Sequence, residues 1–167
     1  MARLGPDDGT LLVRTYREGV AARAGHDLVL EVTRWEATLE GGRVELTADP
    51  RSLRVREGLH GVKPLTDRDR DEILRTIDDK VLRGKPIAFA GTVSEQADLL
   101  IVDGDLTLAG TMRAALINVG LEGGRAMTSY PVRQSDWGIK PYRGLMGALR
   151  VRDEVEVVLD VALPGHR

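Results

Sequence analysis

Apolar and polar residues alternate with a period of two along most of the chain. Between residues 155 and 163 every odd position is apolar, while the even positions are mixed. Successive side chains of a strand point to opposite faces, so this alternation predicts a strand with one buried face. Comparable patterns predict further strands at 28–33, 35–39, 44–47, 87–93, 99–102, 106–108, 114–121, 126–134 and 145–152. Short strands in series are typical of an antiparallel barrel or sandwich.

Three positions interrupt or separate these predicted strands. The apolar parity changes after Arg34, which predicts a bulge or bend near Thr33–Arg34. Asp103–Gly104 lies between two alternating runs and predicts a two-residue hairpin turn. Gly91 lies inside a strand pattern, where a glycine favours a bend or a close approach of two backbones.

Residues 66–82 follow a helical period instead, and we predict one long helix there. Thr66 or Asp67 is suited to cap its first turn, and a Gly-x-Pro sequence beginning at Gly84 ends it. A shorter helical turn is predicted at 19–24. The expected fold is therefore all-β with one packed surface helix, whose apolar side faces the sheet and whose Asp/Arg side faces water.

The composition narrows the possible functions. The 167 residues carry 24 Lys+Arg against 26 Asp+Glu, a net charge of -2, so there is no excess positive field for binding nucleic acid. There is no cysteine, which excludes disulfides and thiolate chemistry. The N-terminus lacks the apolar stretch of a secretory signal, and no segment approaches the roughly 20 apolar residues of a membrane span. We therefore expect a single cytoplasmic domain with no membrane span.

Five segments, in order along the chain, resemble the YceI-like, or polyisoprenoid-binding, proteins of bacteria. After an opening strand come GHDLVLEVTRWEATLE and an acidic helix that ends in VLRGKPIAF. The segments DGDLTLAGTMRAALINV and QSDWGIKPYRGLMGALRVRDEVEV follow. The resemblance covers a single domain at 9–163, and residues 1–8 and 164–167 are expected to be tails.

The resemblance implies an eight-stranded antiparallel barrel of lipocalin-like shape. In such a barrel an apolar tunnel holds a long isoprenoid chain. Many relatives carry a signal peptide, which this sequence does not show at its N-terminus.

A small barrel either fills its interior with side chains or encloses one ligand. Aromatic residues make up only 4% of the chain, with one Phe, so an open apolar slot is plausible on composition. We expect non-catalytic binding of a long isoprenoid or other apolar lipid, for transport, storage or a stress response, with no cofactor. The residues expected to line the tunnel are Leu30, Val32, Ile87, Phe89, Leu106, Leu108, Leu116, Val157 and Leu159. The alternative for each of them is that it simply fills the core.

Basic residues around the SDWG segment suggest a polar mouth for this tunnel. Arg133, Lys140 and Arg143 cluster there with Tyr142, and guanidinium groups match the oxygens of a pyrophosphate head group. Trp137 is expected to close the mouth. The alternative is a solvated loop with ordinary basic residues.

Two other functions stay open at this stage. An enzyme acting on such a ligand would use His26 with Asp136 as acid and base. A hydrolase triad that also includes Ser135 is not expected, because Ser135 lacks the GxSxG surroundings of a hydrolase nucleophile. A filled barrel would serve only as a stress-related interaction module, and the sequence leaves open whether it forms a homodimer. No metal site is expected, because His26 and Asp27 point to opposite faces of a strand while His60 and His166 lie elsewhere.

Overall fold

The computed structural model describes residues 1–144 and 149–164. Within these ranges the strands are β1 (Ala2–Leu4), β2 (Gly9–Thr15), β3 (Arg17–Glu18), β4 (Asp27–Val32), β5 (Trp35–Glu40), β6 (Arg43–Ala48), β7 (Leu53–Leu59), β8 (Ile87–Gln96), β9 (Leu99–Leu108), β10 (Thr111–Glu122), β11 (Arg125–Arg133), β12 (Arg143–Gly144), β13 (Leu149–Val151) and β14 (Glu154–Ala162). The helix α1 (Asp67–Thr76) continues as a π-helical segment, Ile77–Leu82, and 3₁₀ turns lie at Ala22–Ala24 and Gln134–Trp137. The predicted all-β class with one long helix is confirmed.

Eleven strands form one antiparallel sheet in the order β1-β5-β6-β8-β9-β10-β11-β14-β2-β4-β7. Strand β4 lies near one end of this order and β5 near the other, yet only Thr33 and Arg34 separate them in the chain. The sheet must therefore curl strongly enough to bring β4 and β5 close together. Val32 and Trp35, on either side of this break, are both buried, so the change of parity predicted at Thr33–Arg34 is confirmed.

The prediction of eight strands differs from the 14 strands in the described ranges, because bends divide three long strands in two and three further short strands form a separate small sheet. Besides the break after β4, residues 49–52 separate β6 from β7, and residues 5–8 separate β1 from β2. Residues 2–4, expected in a tail, instead pair with β5.

Two expectations near the C-terminus fall partly outside the described residues. Of the strand predicted at 145–152, residues 149–151 form β13, which pairs with β12 and β3 in a separate small sheet. Of the tail at 164–167 only Pro164 is described, and His166 lies outside the described ranges.

The hairpin predicted at Asp103–Gly104 is wrong, because β9 runs straight through both residues. The chain turns at 97–98 and again at 109–110. Ala109 and Gly110 have φ angles of 48° and 84°, the left-handed backbone that a tight hairpin turn requires. The close backbone approach expected at Gly91 is confirmed, since Gly104 is its partner on β9.

Two groups of buried side chains fill much of the curled sheet. The larger group includes Trp35, Phe89, Val102, Val119 and Val161. The smaller group consists of Ala109, Val132, Trp137, Ile139 and Val155. Burial of this apolar area is the main source of stability for such a fold.

A capping box fixes the start of α1. The Thr66 hydroxyl accepts the Asp69 N–H at 3.1 Å, and the Asp69 carboxylate accepts the Thr66 N–H at 2.9 Å. Arg70 donates from Nη1 to the carbonyl of Val55 in β7 at 2.5 Å, which holds the helix beside that strand. Arg83, with φ at 56°, ends the helical segment. Within residues 1–144 and 149–164, the helices are too short or too polar to span a bilayer.

Candidate ligand cavity

A cavity of about 1050 Å³ lies between the helical segment 67–82 and the interior of the curled sheet. This volume is at the upper end of the roughly 300–1,000 Å³ typical of small-molecule sites. Apolar walls of the cavity come from the helical segment and from seven strands of the main sheet: Val13, Leu28, Leu30, Val32, Leu53, Ile73, Ile77, Val81, Leu82, Ile87, Leu108, Val132, Val155 and Val157. The apolar side of the helix thus faces the sheet across this space, as its periodicity predicts.

The structure divides the predicted tunnel residues into three groups. Those that border the cavity are Leu30, Val32, Ile87, Leu108 and Val157. Those that pack with the larger core group instead are Phe89, Leu106 and Leu159. Leu116 is 61% exposed on the outside of β10, so its assignment to the tunnel is corrected. That the first five residues contact a ligand remains a prediction.

The exposed position of Leu116 has a simple cause. Side chains alternate between the two faces of β10, and Ala115 is the buried neighbour while Leu116 points outwards. The sequence AALI is apolar on both faces at this point, so hydrophobicity alone does not distinguish the inner face from the outer one.

The residues predicted at the mouth are not gathered into one site. Tyr142 borders the cavity, whereas Arg143 lines an adjoining space of about 230 Å³. Arg133 and Lys140 are exposed and border neither space. Trp137 is buried, and its Nε1 donates to the carbonyl of Leu106 at 2.8 Å. It belongs to the smaller core group rather than closing the mouth.

Polar side chains that the sequence did not single out also border the cavity. Arg17 donates from Nη1 to the carbonyls of Gly25 at 3.2 Å and Leu59 at 3.3 Å. Arg150 lies between the large and the small space, and its buried Nε has no hydrogen-bond partner within the described chain. No sequence signal marks these two residues, because only the pairing of β3 with β13 brings their strands together.

His26 positions the loop at residues 60–66, which closes one side of the cavity. Its Nε2 lies 2.5 Å from the carbonyl oxygen of Lys63, to which it can donate a hydrogen bond. The imidazole ring is packed against Gly61, where a Cβ atom would lie 2.1 Å from Nε2. A glycine is therefore required at residue 61 for this contact.

A second histidine contact joins the same loop to the sheet. Nδ1 of His60 lies 2.6 Å from a carboxylate oxygen of Asp27, whose other oxygen accepts the Arg17 N–H at 2.8 Å. Burial raises the pKa of Asp27, but the hydrogen bonds from Arg17 and His60 outweigh it and hold that pKa below its ordinary value. Asp27 is therefore a charged acceptor at neutral pH.

The acid–base pair considered from the sequence does not form. His26 borders the cavity, whereas Asp136 is exposed in the 3₁₀ turn at 134–137, outside the cavity lining. The hydroxyl of Ser135 donates to Asp153 at 2.5 Å. Neither Ser135 nor Asp136 borders the cavity.

The fold and the cavity together define a class of protein in which a curled antiparallel sheet encloses an apolar space beneath one surface helix. A sequence model of the YceI-like domain matches residues 20–163, and the chain belongs to the YceI-like family. This confirms the family expected from the five segments.

A crystal structure shows a similar fold in BcnA of Burkholderia cenocepacia. The TM-score is 0.58 at 13% identity, and the match covers 90% of this chain and 94% of BcnA. At this identity the likeness concerns the fold alone. No curated protein matches the chain by sequence.

Proposed function

We propose that this protein binds a long-chain isoprenoid, or a lipid of similar apolar character, without catalysing a reaction. The observation that supports this most directly is the cavity of about 1050 Å³. Its lining is predominantly aliphatic, which suits a hydrocarbon and offers few fixed partners to a polar ligand.

We also propose that the main sheet closes into a barrel of eight long strands. In the eleven-stranded sheet, joining β1 with β2, β4 with β5 and β6 with β7 across their bends leaves eight long strands. Each is paired with the next, and β14 returns to pair with β2. A closed sheet has no free edge, so the cavity walls would be held by hydrogen bonds on every side.

The volume suits a chain of several isoprene units. An apolar cavity of roughly 150 Å³ accommodates one benzene, and this one is about seven times larger. Each buried CH₂ contributes about 0.8 kcal/mol. A tail of several isoprene units therefore binds by burial alone. We propose that the cavity residues that contact it are Leu30, Val32, Ile87, Leu108 and Val157.

A polar head group would lie where the cavity meets Tyr142 and the neighbouring Arg143. Tyr142 borders the cavity and is partly exposed, and Arg143 lines the adjoining small space. Arg133 and Lys140, exposed near the same turn, would contribute only to the surrounding potential.

A pair of leucine-to-tryptophan variants tests the proposal. Leu108→Trp adds bulk inside the cavity, whereas Leu116→Trp adds the same bulk on the outer face. We expect Leu108→Trp to weaken binding of geranylgeraniol by about tenfold or more, because the tail loses its space, while Leu116→Trp leaves it unchanged. The measurement is isothermal titration, with circular dichroism to show that both variants are folded.

Native mass spectrometry of freshly purified parent protein supplies an independent test. We expect a co-purified apolar lipid that Leu108→Trp lacks and Leu116→Trp retains. If a folded Leu108→Trp variant binds the prenyl alcohol as tightly as the parent does, the cavity is not the ligand site.

A further inference from the structure

Two loops meet where the cavity reaches the surface, at residues 19–26 and 59–65, and we call them the mouth loops. Exposed residues of both loops also border the cavity, among them Arg23, Ala24, Val62 and Lys63. We propose that the mouth loops dock the protein on the surface of an anionic lipid bilayer. This docking goes beyond lipid binding inside the cavity and does not require a bound ligand.

Apolar side chains project from the mouth loops into solvent. Val20 is 96% exposed, Val62 is 69% exposed and Leu59 is 40% exposed. Val62 borders the cavity, and Val20 and Leu59 belong to the same two loops, so these exposed residues favour a contact surface at the cavity mouth. Insertion of such side chains into the headgroup region of a bilayer would remove them from water.

The charge of the mouth loops complements an anionic surface. They contain Arg23 and Lys63 and two histidines but no Asp or Glu, in a chain whose net charge is -2. A basic residue near an anionic leaflet contributes about 1 kcal/mol to binding. Two such residues beside three apolar ones therefore favour a membrane containing acidic lipids over a neutral one.

Three of the acidic groups near these loops have partners, whereas Glu57 and Asp67 are exposed within two residues of the 59–65 loop. Asp27 accepts hydrogen bonds from Arg17 and contacts His60. Asp69 accepts the N–H of Thr66, and Glu72 is paired with Arg68 at 3.3 Å. Their charges are partly compensated, which limits repulsion from an anionic headgroup.

Fixed contacts hold the two mouth loops side by side. Nη1 of Arg17 donates to Gly25 in one loop and to Leu59 in the other. Nε2 of His26 contacts the carbonyl oxygen of Lys63 across the same junction. Because the loops are preorganised, docking requires little further ordering of the chain.

A second copy of the chain is a less suitable occupant. A stable interface buries about 800 Å² on each partner, and three separated aliphatic side chains supply much less. Three exposed apolar residues, Met112, Leu116 and Met127, also lie on the outer face of β10 and β11. However, Leu116 faces Asp103 on β9, so these residues are flanked by negative charge and serve as a matched control.

The test is co-sedimentation of the full chain with vesicles at about 0.1 M ionic strength. Vesicles of phosphatidylcholine alone are compared with vesicles containing phosphatidylglycerol. We expect the parent to bind the acidic vesicles at least about tenfold more tightly, and the double change Val20→Asp with Val62→Asp to remove that binding. Met112→Asp with Leu116→Asp should leave it unchanged.

The variants also separate docking from ligand binding. Titration of geranylgeraniol without vesicles reports on the cavity, and we expect the single change Val20→Asp, at a residue outside the cavity lining, to bind it like the parent while weakening vesicle binding. Leu108→Trp should lose the prenyl alcohol but keep vesicle binding. Docking is overturned if the parent binds both vesicle types equally or neither, or if the outer-face variant loses as much binding as the mouth-loop variant.

Discussion

Gly91 and Gly104 face each other in register across β8 and β9, with no room for a side chain between them. A Cβ atom on Gly104 would lie 2.3 Å from the carbonyl oxygen of Ala90 and 2.7 Å from Cζ of Phe89. A Cβ atom on Gly91 would lie 2.6 Å from the carbonyl oxygen of Asp103. The two strands therefore approach more closely here than any residue with a side chain permits.

Replacing Gly104 with alanine is expected to destabilise the fold by about 1–3 kcal/mol, because the strands must separate and Phe89 must move. The measurement is the free energy of unfolding in urea. Gly120→Ala is the control, since its nearest neighbour would be 3.7 Å away. Equal stability of the two variants would show that β8 and β9 separate at no cost.

This contact also shows what the sequence conceals. Asp–Gly between two alternating runs is the usual signal of a hairpin, yet here the glycine serves a packing contact within a strand. The actual turn at Ala109–Gly110 begins with a residue that rarely adopts a positive φ. The pairing of β8 with β9, which places Gly104 opposite Gly91, outweighs the local preference of Asp–Gly for a turn.

Thr66 is expected to contribute to the start of α1 through its capping box. Thr66→Ala removes the acceptor for the Asp69 N–H, and we expect a loss of about 1 kcal/mol in the free energy of unfolding. Thr66→Ser keeps the hydroxyl and should stay close to the parent. A loss in the serine variant as large as that in the alanine variant would assign the effect to the methyl group instead.

Asp27 is expected to make stability depend on pH in the acid range. Its pKa in the folded protein is lower than the ordinary value of 3.8. Its contribution is therefore complete above that value and is lost as the pH falls through the lower, folded-state pKa. The free energy of unfolding of the parent should exceed that of Asp27→Asn by about 1–3 kcal/mol near pH 5. This difference should shrink as the pH is lowered below about 3.8.

Urea unfolding at a series of pH values measures this difference. Asp7→Asn is the control, because Asp7 is exposed and makes no hydrogen bond or ion pair in the part of the chain that the structure describes. A constant gap between the parent and Asp27→Asn from about pH 5 to pH 3 would contradict the role of the charged carboxylate.

Salt should affect the binding of neutral and charged prenyl ligands differently. Burial of a hydrocarbon tail is non-ionic, whereas contacts to Arg143 are screened over about 8 Å at physiological ionic strength. We expect the affinity for geranylgeraniol to stay within a few-fold from low to high salt, and that for geranylgeranyl pyrophosphate to fall further. Isothermal titration checks both, and loss of the alcohol at high salt would contradict tail burial.

The inner face of the sheet was only partly predictable from the sequence. The alternation predicts the inner position of Leu30, Val32 and Val157, because their strands have one clearly apolar face, and all three border the cavity. It does not distinguish the outer position of Leu116, because β10 is apolar on both faces near residue 116. It also does not predict that Phe89 packs in the larger core group with Trp35 instead of bordering the cavity.

The polar part of the cavity could not be predicted at all. Arg17 and Arg150 come together only through the small sheet of β3, β12 and β13. Strands of two or three residues carry no recognisable period. Long-range pairing, rather than any local pattern, places these side chains beside the apolar walls.

The division of the interior into a packed part and an open part has a consequence for local unfolding. Amide groups of the strand segments around Trp35, Phe89 and Val161 lie over dense packing, whereas those beneath α1 face the cavity. Hydrogen exchange should therefore be graded along single strands, slow at one end and faster at the other. A ligand in the cavity would slow exchange mainly in the strand segments beneath α1. The fast-exchanging amides of the ligand-free protein would therefore mark the position of the ligand site.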